Sequence, residues 1–113
     1  MATVSPVVSV VAGVPHVTWT GVVTGDTLVS QTVITRKLPY ASVQISGTFG
    51  GATVTLQSSN DNTTFFAIKD ISGTTVSAVA ASIFEILSSA AYLKPTIAGG
   101  GANAVDITLI LRG

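Results

Sequence analysis

Apolar residues in this chain recur at every second position, and that spacing restricts the backbone more than any other feature. In Val105-Asp106-Ile107-Thr108-Leu109-Ile110-Leu111 the odd positions form one aliphatic face, while Asp106 and Thr108 fall on the other. Side chains alternate across a strand with a period of two, so this segment buries one clean face as a strand and none as a helix. Val43 and Ile45 likewise alternate with Ser42, Gln44 and Ser46. Val54 and Leu56 alternate with Thr53, Thr55 and Gln57. The Val, Ile and Thr that dominate are stiff at χ1 and suit a pleated, half-buried surface. No segment sustains an i, i+3, i+4, i+7 stripe. The best helical candidate, Ser77 to Ser89, is rich in Ala. Its centre, Ile83-Phe84-Glu85-Ile86-Leu87, reads equally well as a strand, and we take it as a loop leading into one.

Glycines and Asn/Asp pairs interrupt the alternation at the short intervals of a sandwich or barrel. We expect strands near Val7–Val11, Val17–Val22, Leu28–Thr35, Thr75–Val79, Ile83–Leu87, Tyr92–Ala98 and Val105–Leu111, with Pro39 ending helical geometry at Leu38. Gly47-Thr48-Phe49-Gly50-Gly51 supplies positive φ values for a hairpin. Ser58-Ser59-Asn60-Asp61-Asn62 is a dense turn signal, followed by Phe65-Phe66-Ala67-Ile68. Gln44 to Ile68 therefore reads as a three-strand meander. Gly99-Gly100-Gly101 reads as the hairpin turn into the last strand, not as a phosphate loop. Pro95 removes a ladder donor, which places its strand at an edge or at the start of a pairing. The expected fold is all-β: an antiparallel β-sandwich of jelly-roll or immunoglobulin-like type with about eight to nine strands. Pro6 and Pro15 bracket the first residues, so we divide the chain into an N-terminal arm or strap, 1–14, and a sandwich domain, 15–113.

Composition then limits function. The chain of 113 residues is 47% hydrophobic and only 9% charged, with five basic and five acidic residues. Soluble domains carry about 25% charged residues. A surface this poor in charge points to cover by copies of itself, by a partner, or by both. Five scattered Lys and Arg make no basic stripe, so no nucleic-acid partner is expected. No apolar run reaches the ~20 residues of a membrane helix, and the aromatics do not form the girdles of an outer-membrane barrel. The start lacks a basic n-region and is interrupted by Pro6, so no signal peptide is expected. Asn62-Thr63-Thr64 fits a glycosylation acceptor, which carries weight only for a secreted chain. The chain has no cysteine.

Catalytic chemistry finds little to use. His16 is the sole histidine, so a triad or a histidine metal site would depend on it alone. It lies on the strand face opposite Val17 and Trp19 and reads as a surface or interface residue. Asn60-Asp61-Asn62 offers one carboxylate where calcium loops bring several, and reads as a turn. Asp26, Asp70, Glu85 and Asp106 are too dispersed to declare a carboxylate pair. Glu85, between Phe84 and Ile86, reads as an exposed carboxylate, with an interface ion pair to Arg36, Lys37 or Lys94 as the alternative. Trp19, Tyr40 and Tyr92 offer a sugar-stacking platform on one reading and core or interface aromatics on the other, which we prefer. No cofactor and no metal are expected.

The segment from Ser46 to Ile68 resembles a hairpin of small bacteriophage virion proteins of the capsid decoration, or cement, kind. In these a glycine-rich turn and a serine-asparagine-aspartate turn precede a Tyr-Leu-Arg-Pro type segment and a terminal aliphatic strand. Here those parts are Tyr92-Leu93-Lys94-Pro95 and Val105–Leu111. The resemblance spans Gln44 to Arg112. It departs at Asn62, where glycine is common, and at Phe65-Phe66, which replaces a tryptophan. The same hairpin occurs in discoidin-like and other jelly-roll domains. What the resemblance implies is a capsid decoration (cement) protein or another head or tail accessory protein, and the leading expectation is a non-enzymatic virion protein on the outside of a phage capsid. It would bind the major capsid protein or another virion protein and cement capsomers as a homo-oligomer, a trimer first. The apolar start, with Val4, Val7, Val8, Val10 and Val11, is the expected partner-binding segment, strapping onto a neighbouring subunit or the capsid by β-augmentation. Deleting 1–14 is expected to leave the sandwich folded and weaken attachment. The discoidin-like hairpin implies the rival reading, a carbohydrate-binding module. A small hydrolase relying on His16 is the remotest reading.

Overall fold

The computed structural model describes residues 2–30, 40–87 and 92–112, and the described residues contain strands and no helix. In chain order the strands are β1 (Thr3–Val4), β2 (Val7–Val11), β3 (Val14–Val22), β4 (Thr27–Leu28), β5 (Tyr40–Thr48), β6 (Thr53–Ser59), β7 (Phe66–Ala67), β8 (Ser77–Ala78), β9 (Ser82–Leu87), β10 (Tyr92–Ala98) and β11 (Ala104–Arg112). The expected strands fall within or beside these. The distal part of the expected Leu28–Thr35 strand, together with Arg36, Lys37 and Pro39, lies outside the described residues.

Two sheets form a sandwich. The larger has the order β2-β3-β11-β5-β9, all antiparallel. The smaller centres on β6, with β10 on one side and the short β7 and β8 on the other. Between them lie the alternating faces read from the sequence: Val17, Trp19 and Val22 of β3, Val43 and Ile45 of β5, Val54 and Leu56 of β6, Leu93 of β10, and Val105, Ile107, Leu109 and Leu111 of β11. Trp19 is fully buried. Its indole N–H donates to the Val29 carbonyl (2.8 Å), which satisfies the one polar atom that burial would otherwise strand. Pro95 lies on β10, an edge strand, where its missing N–H costs nothing.

Two sequence expectations about connections are corrected. Gly47–Gly51 does not close a hairpin, and Gln44 to Ile68 is not a meander, because β5 and β6 belong to different sheets. Gly99–Gly101 likewise joins β10 of one sheet to β11 of the other. Both segments are arches that cross the sandwich. They stack: the Gly101 N–H donates to the Gly50 carbonyl (2.9 Å), and a Cβ on Gly100 would lie 2.6 Å from Ala52 N. Each strand prefers to bury its apolar face against the strand across the core, and buried Phe49 plugs the first arch. Only β6–β7 survives as the antiparallel neighbour pair that the meander reading expected.

The N-terminal segment is woven into the sandwich at two levels. β1 runs parallel to β4, the Thr27 N–H donates to the Ala2 carbonyl, and the Val29 N–H donates to the Val4 carbonyl. β2 forms a hairpin with β3 through Ala12 (φ 52°) and Gly13 (φ 80°). Two consecutive positive φ values define the type I′ turn that matches strand twist. Removing residues 1–14 therefore strips two strands, β1 and β2, and the Val4 core contact along with any strap.

Candidate functional site

Exposed apolar side chains line both edges of the five-stranded sheet. Edge strands present unpaired backbone groups, and folded proteins usually guard them with charge, proline or bulges. At the β2 edge every residue is exposed. Val7 and Val10 expose 66% and 65% of their surface, and Val8 and Val11 are also open. Val8 and Val10 lie opposite Val17 and Pro15 on the core side of the sheet, while Val7, Ser9 and Val11 lie opposite Thr18, His16 and Val14. Both faces of this strand thus carry bare valine. Of the five partner-binding residues expected from sequence, these four come together. Val4 lies apart, packed on the core from β1.

The opposite edge, β9, holds a second apolar group that sequence reasoning missed. Ile86 points into the core, so Ile83, Glu85 and Leu87 point out. Ile83 and Leu87 are 65% and 58% exposed, and Tyr40, paired with Leu87, is exposed beside them. Ile71 joins from a distant turn: its N–H donates to the Glu85 carbonyl (3.0 Å), and its side chain stands in solvent. Two shallow clefts flank it. One of about 250 Å³ is lined by Tyr40, Ala41, Ser42, Ile71, Glu85 and Ile86. The other, about 300 Å³, is lined by Asp70, Ile71, Ser72, Ile83, Phe84 and Glu85. Both lie at or below the lower bound of small-molecule pockets. The signal in the sequence was Glu85 itself, a charge flanked by apolar residues two positions away on either side.

The remaining candidates have structural occupations. Ser59–Thr64 is a tight turn. The Ser59 hydroxyl donates to Asp61 Oδ1 (2.7 Å), which also accepts the Thr63 and Thr64 N–H groups (2.9 Å each). Those bonds, the Thr64 N–H foremost, lower the Asp61 pKa to about 2. Asn62 adopts φ 59°, a conformation that Asn tolerates, and its side chain accepts the Ser30 hydroxyl. Asp70 Oδ1 accepts the Ser72 and Thr74 N–H groups, and Asp106 accepts the Gly21 N–H. Asp26 accepts the Val23 and Ala2 N–H groups, which hold its carboxyl below the usual range. Of the carboxylates weighed as a pair, only Asp70 and Glu85 share a cleft, and Asp70 is committed to its own turn. Lys94 lies over the Phe65 ring, 4.3 Å from its centroid. His16 sits on the outer face between Ser9 and Ile110. The three aromatics weighed as a sugar platform do not share a surface: Trp19 is buried, and Tyr40 and Tyr92 belong to different sheets.

No family model matches this chain, and no curated protein matches it. Its fold is similar to that in the crystal structure of the SPBc2 prophage-derived protein YomS, with a TM-score of 0.59 at 9% identity, over 91% of this chain and 98% of that one. At that identity the likeness is one of fold.

Proposed function

We propose that this chain is a non-enzymatic structural protein of a bacteriophage particle, which binds the outside of the capsid as a small homo-oligomer and cements capsomers. The observation that carries the reading is the pair of bare apolar sheet edges on a molecule with ten charged residues. A β-sandwich that lived unpartnered would guard such edges. The likeness in fold to a prophage-derived protein supports the phage setting. In this reading β2 joins copies, and the Tyr40, Ile71, Ile83 and Leu87 surface faces the particle. Apolar burial is sufficient as the driving force. A standard interface of ~1,600 Å² with about 57% apolar area gives a gross ~20 kcal/mol, against ~4–15 kcal/mol for lost rigid-body freedom. Repetition over a lattice adds avidity.

The test is co-sedimentation of the purified protein with empty shells of the major capsid protein from the same genome. Wild type should pellet with shells, and the double variant Ile83→Lys/Leu87→Lys should bind at least tenfold more weakly while keeping its circular dichroism spectrum. Wild type that stays in the supernatant, or a double variant that binds as wild type does, would overturn the reading. Glycan binding by the isolated monomer would favour the carbohydrate alternative.

A further inference from the structure

We infer that β2 pairs with β2 of a second copy of this chain, antiparallel, about a two-fold axis at Ser9. The inference deepens the self-assembly half of the proposed function and rests on it; which particle the protein joins does not enter.

The hairpin decides which backbone groups are free. A two-residue turn closes on a hydrogen-bonded pair, here Val11 and Val14. Bonded and non-bonded pairs alternate along an antiparallel ladder. Val7, Ser9 and Val11 therefore spend their N–H and C=O on β3, and Val8 and Val10 direct theirs outward. Pro15 agrees with this phase. It lies opposite Val10, in a non-bonded pair where no N–H is asked of it. Pro6 before the strand and the Ala12-Gly13 turn after it set the limits of the open edge.

The sequence of that edge is its own mirror: Val7-Val8-Ser9-Val10-Val11. About a two-fold at Ser9, Val8 meets the partner's Val10, and each copy's outward N–H and C=O groups meet their complements. Four interchain hydrogen bonds result. Val7 meets the partner's Val11, and Ser9 meets the partner's Ser9. Every valine faces a valine, and the lone polar residue faces itself. A shift of two residues sets serine against valine and shortens the overlap. A shift of one sets outward groups against committed ones. A two-fold contact requires a self-complementary patch, and an uncharged palindromic strand supplies one without like-charge repulsion. The β9 edge suits this role less well, because Glu85 stands at its middle and the Glu85 carbonyl already accepts the Ile71 N–H. Pairing at β2 would run the two larger sheets into one continuous sheet.

Cross-linking tests the contact directly. The chain has no cysteine, and directly opposed residues of a non-bonded pair stand about 4.5 Å apart at Cα, within the span of a disulfide. Ser9→Cys, oxidised in a glutathione buffer, should form a covalent dimer at least tenfold faster than Ser72→Cys at the same concentration. In sedimentation equilibrium, wild type should show a concentration-dependent dimer. Ser9→Lys, which leaves the bonds to β3 in place and sets two ammonium groups face to face, should weaken that dimer at least tenfold with an unchanged circular dichroism spectrum. Equal oxidation rates for the two cysteine variants, a Ser9→Lys dimer as tight as wild type, or a strictly monomeric wild type would overturn the inference. So would a trimer, which would assign β2 to the β9 edge of the next copy. Shell binding by monomeric Ser9→Lys is scored separately, so the pairing and the particle reading fail independently.

Discussion

At the scale of the residue, the aspartates explain how a chain with so little charge distributes it. All four accept backbone N–H groups: Asp26, Asp61 and Asp70 in turns, and Asp106 where the β3–β11 register slips beside Gly21. A carboxylate that accepts several N–H bonds favours its charged form; this lowers Asp26, and it lowers Asp61 from 3.8 to about 2. A carboxyl whose folded pKa lies below its unfolded value contributes stability above the unfolded value and loses it as pH falls through the folded one. Asp61→Asn should therefore melt below wild type at pH 7. The gap should narrow from about pH 4 downward and close near pH 2, as seen by thermal melts across that range. A gap that persists unchanged at pH 2 would mean that the charge is not what the turn uses. Trp19 makes the opposite point, since its contribution is shape and one hydrogen bond. Trp19→Phe leaves the Val29 carbonyl without its donor and a gap beside it. The expected cost is about 2–4 kcal/mol, read from the urea midpoint. A cost under 1 kcal/mol would show that the core closes over the loss.

At the scale of the element, the two glycine arches decide the topology. Gly100 combines φ 76° with a clash, since any Cβ would press on the Ala52 backbone. Gly13 has φ 80° but open space around it. Gly13→Ala should thus cost about 1–2 kcal/mol for conformation alone, and Gly100→Ala about 2–5 kcal/mol, because overpacking adds to it. Equal costs in chemical denaturation would show that the arches do not pack as described. The arches also mark where sequence reading stops. Alternation tells which residues share a face, so β10 and β11 were legible nearly to the residue and the central parts of β3, β5 and β6 were legible too, while β3 begins three residues before the expected Val17 and β5 runs from Tyr40 to Thr48, into the segment read as a turn. It does not tell which strand lies beside which. A glycine-rich segment between two alternating runs serves a hairpin and an arch equally well, and the choice rests on packing of Phe49 and the stacking of Gly50 with Gly101, contacts about fifty residues apart in sequence. The site divides in the same way. Val7, Val8, Val10 and Val11 were legible as one apolar strand. The β9 surface was not, because Ile71 reaches it through a single bond from a separate turn.

At the scale of the whole molecule, the question is which force holds any assembly together. With three aspartates engaged in turns and Asp106 at the β3–β11 slip, Glu85 is the one acidic side chain not holding a backbone N–H of its own chain among the described residues. Salt screens exposed charges separated by more than about 10 Å at 0.1 M and about 3 Å at 1 M, so an interface built on ion pairs would loosen over that range. One built on valine, isoleucine and leucine would not. It would tighten in sulfate, which is excluded from protein surface, and weaken on cooling, because apolar burial loses its driving force at low temperature. The expected outcome for self-association, and for shell binding, is a dissociation constant that changes less than about threefold between 0.1 and 1 M NaCl, falls in ammonium sulfate, and rises between 25 and 4 °C. Sedimentation under these conditions separates the two forces. Dissociation by moderate NaCl alone would place the binding energy in charges and not in the apolar edges. It would shift attention to Arg36 and Lys37, two of the five cations, which lie outside the described residues. Insensitivity to salt combined with weakening in the cold would leave apolar contact as the force, acting through edges that the fold leaves open.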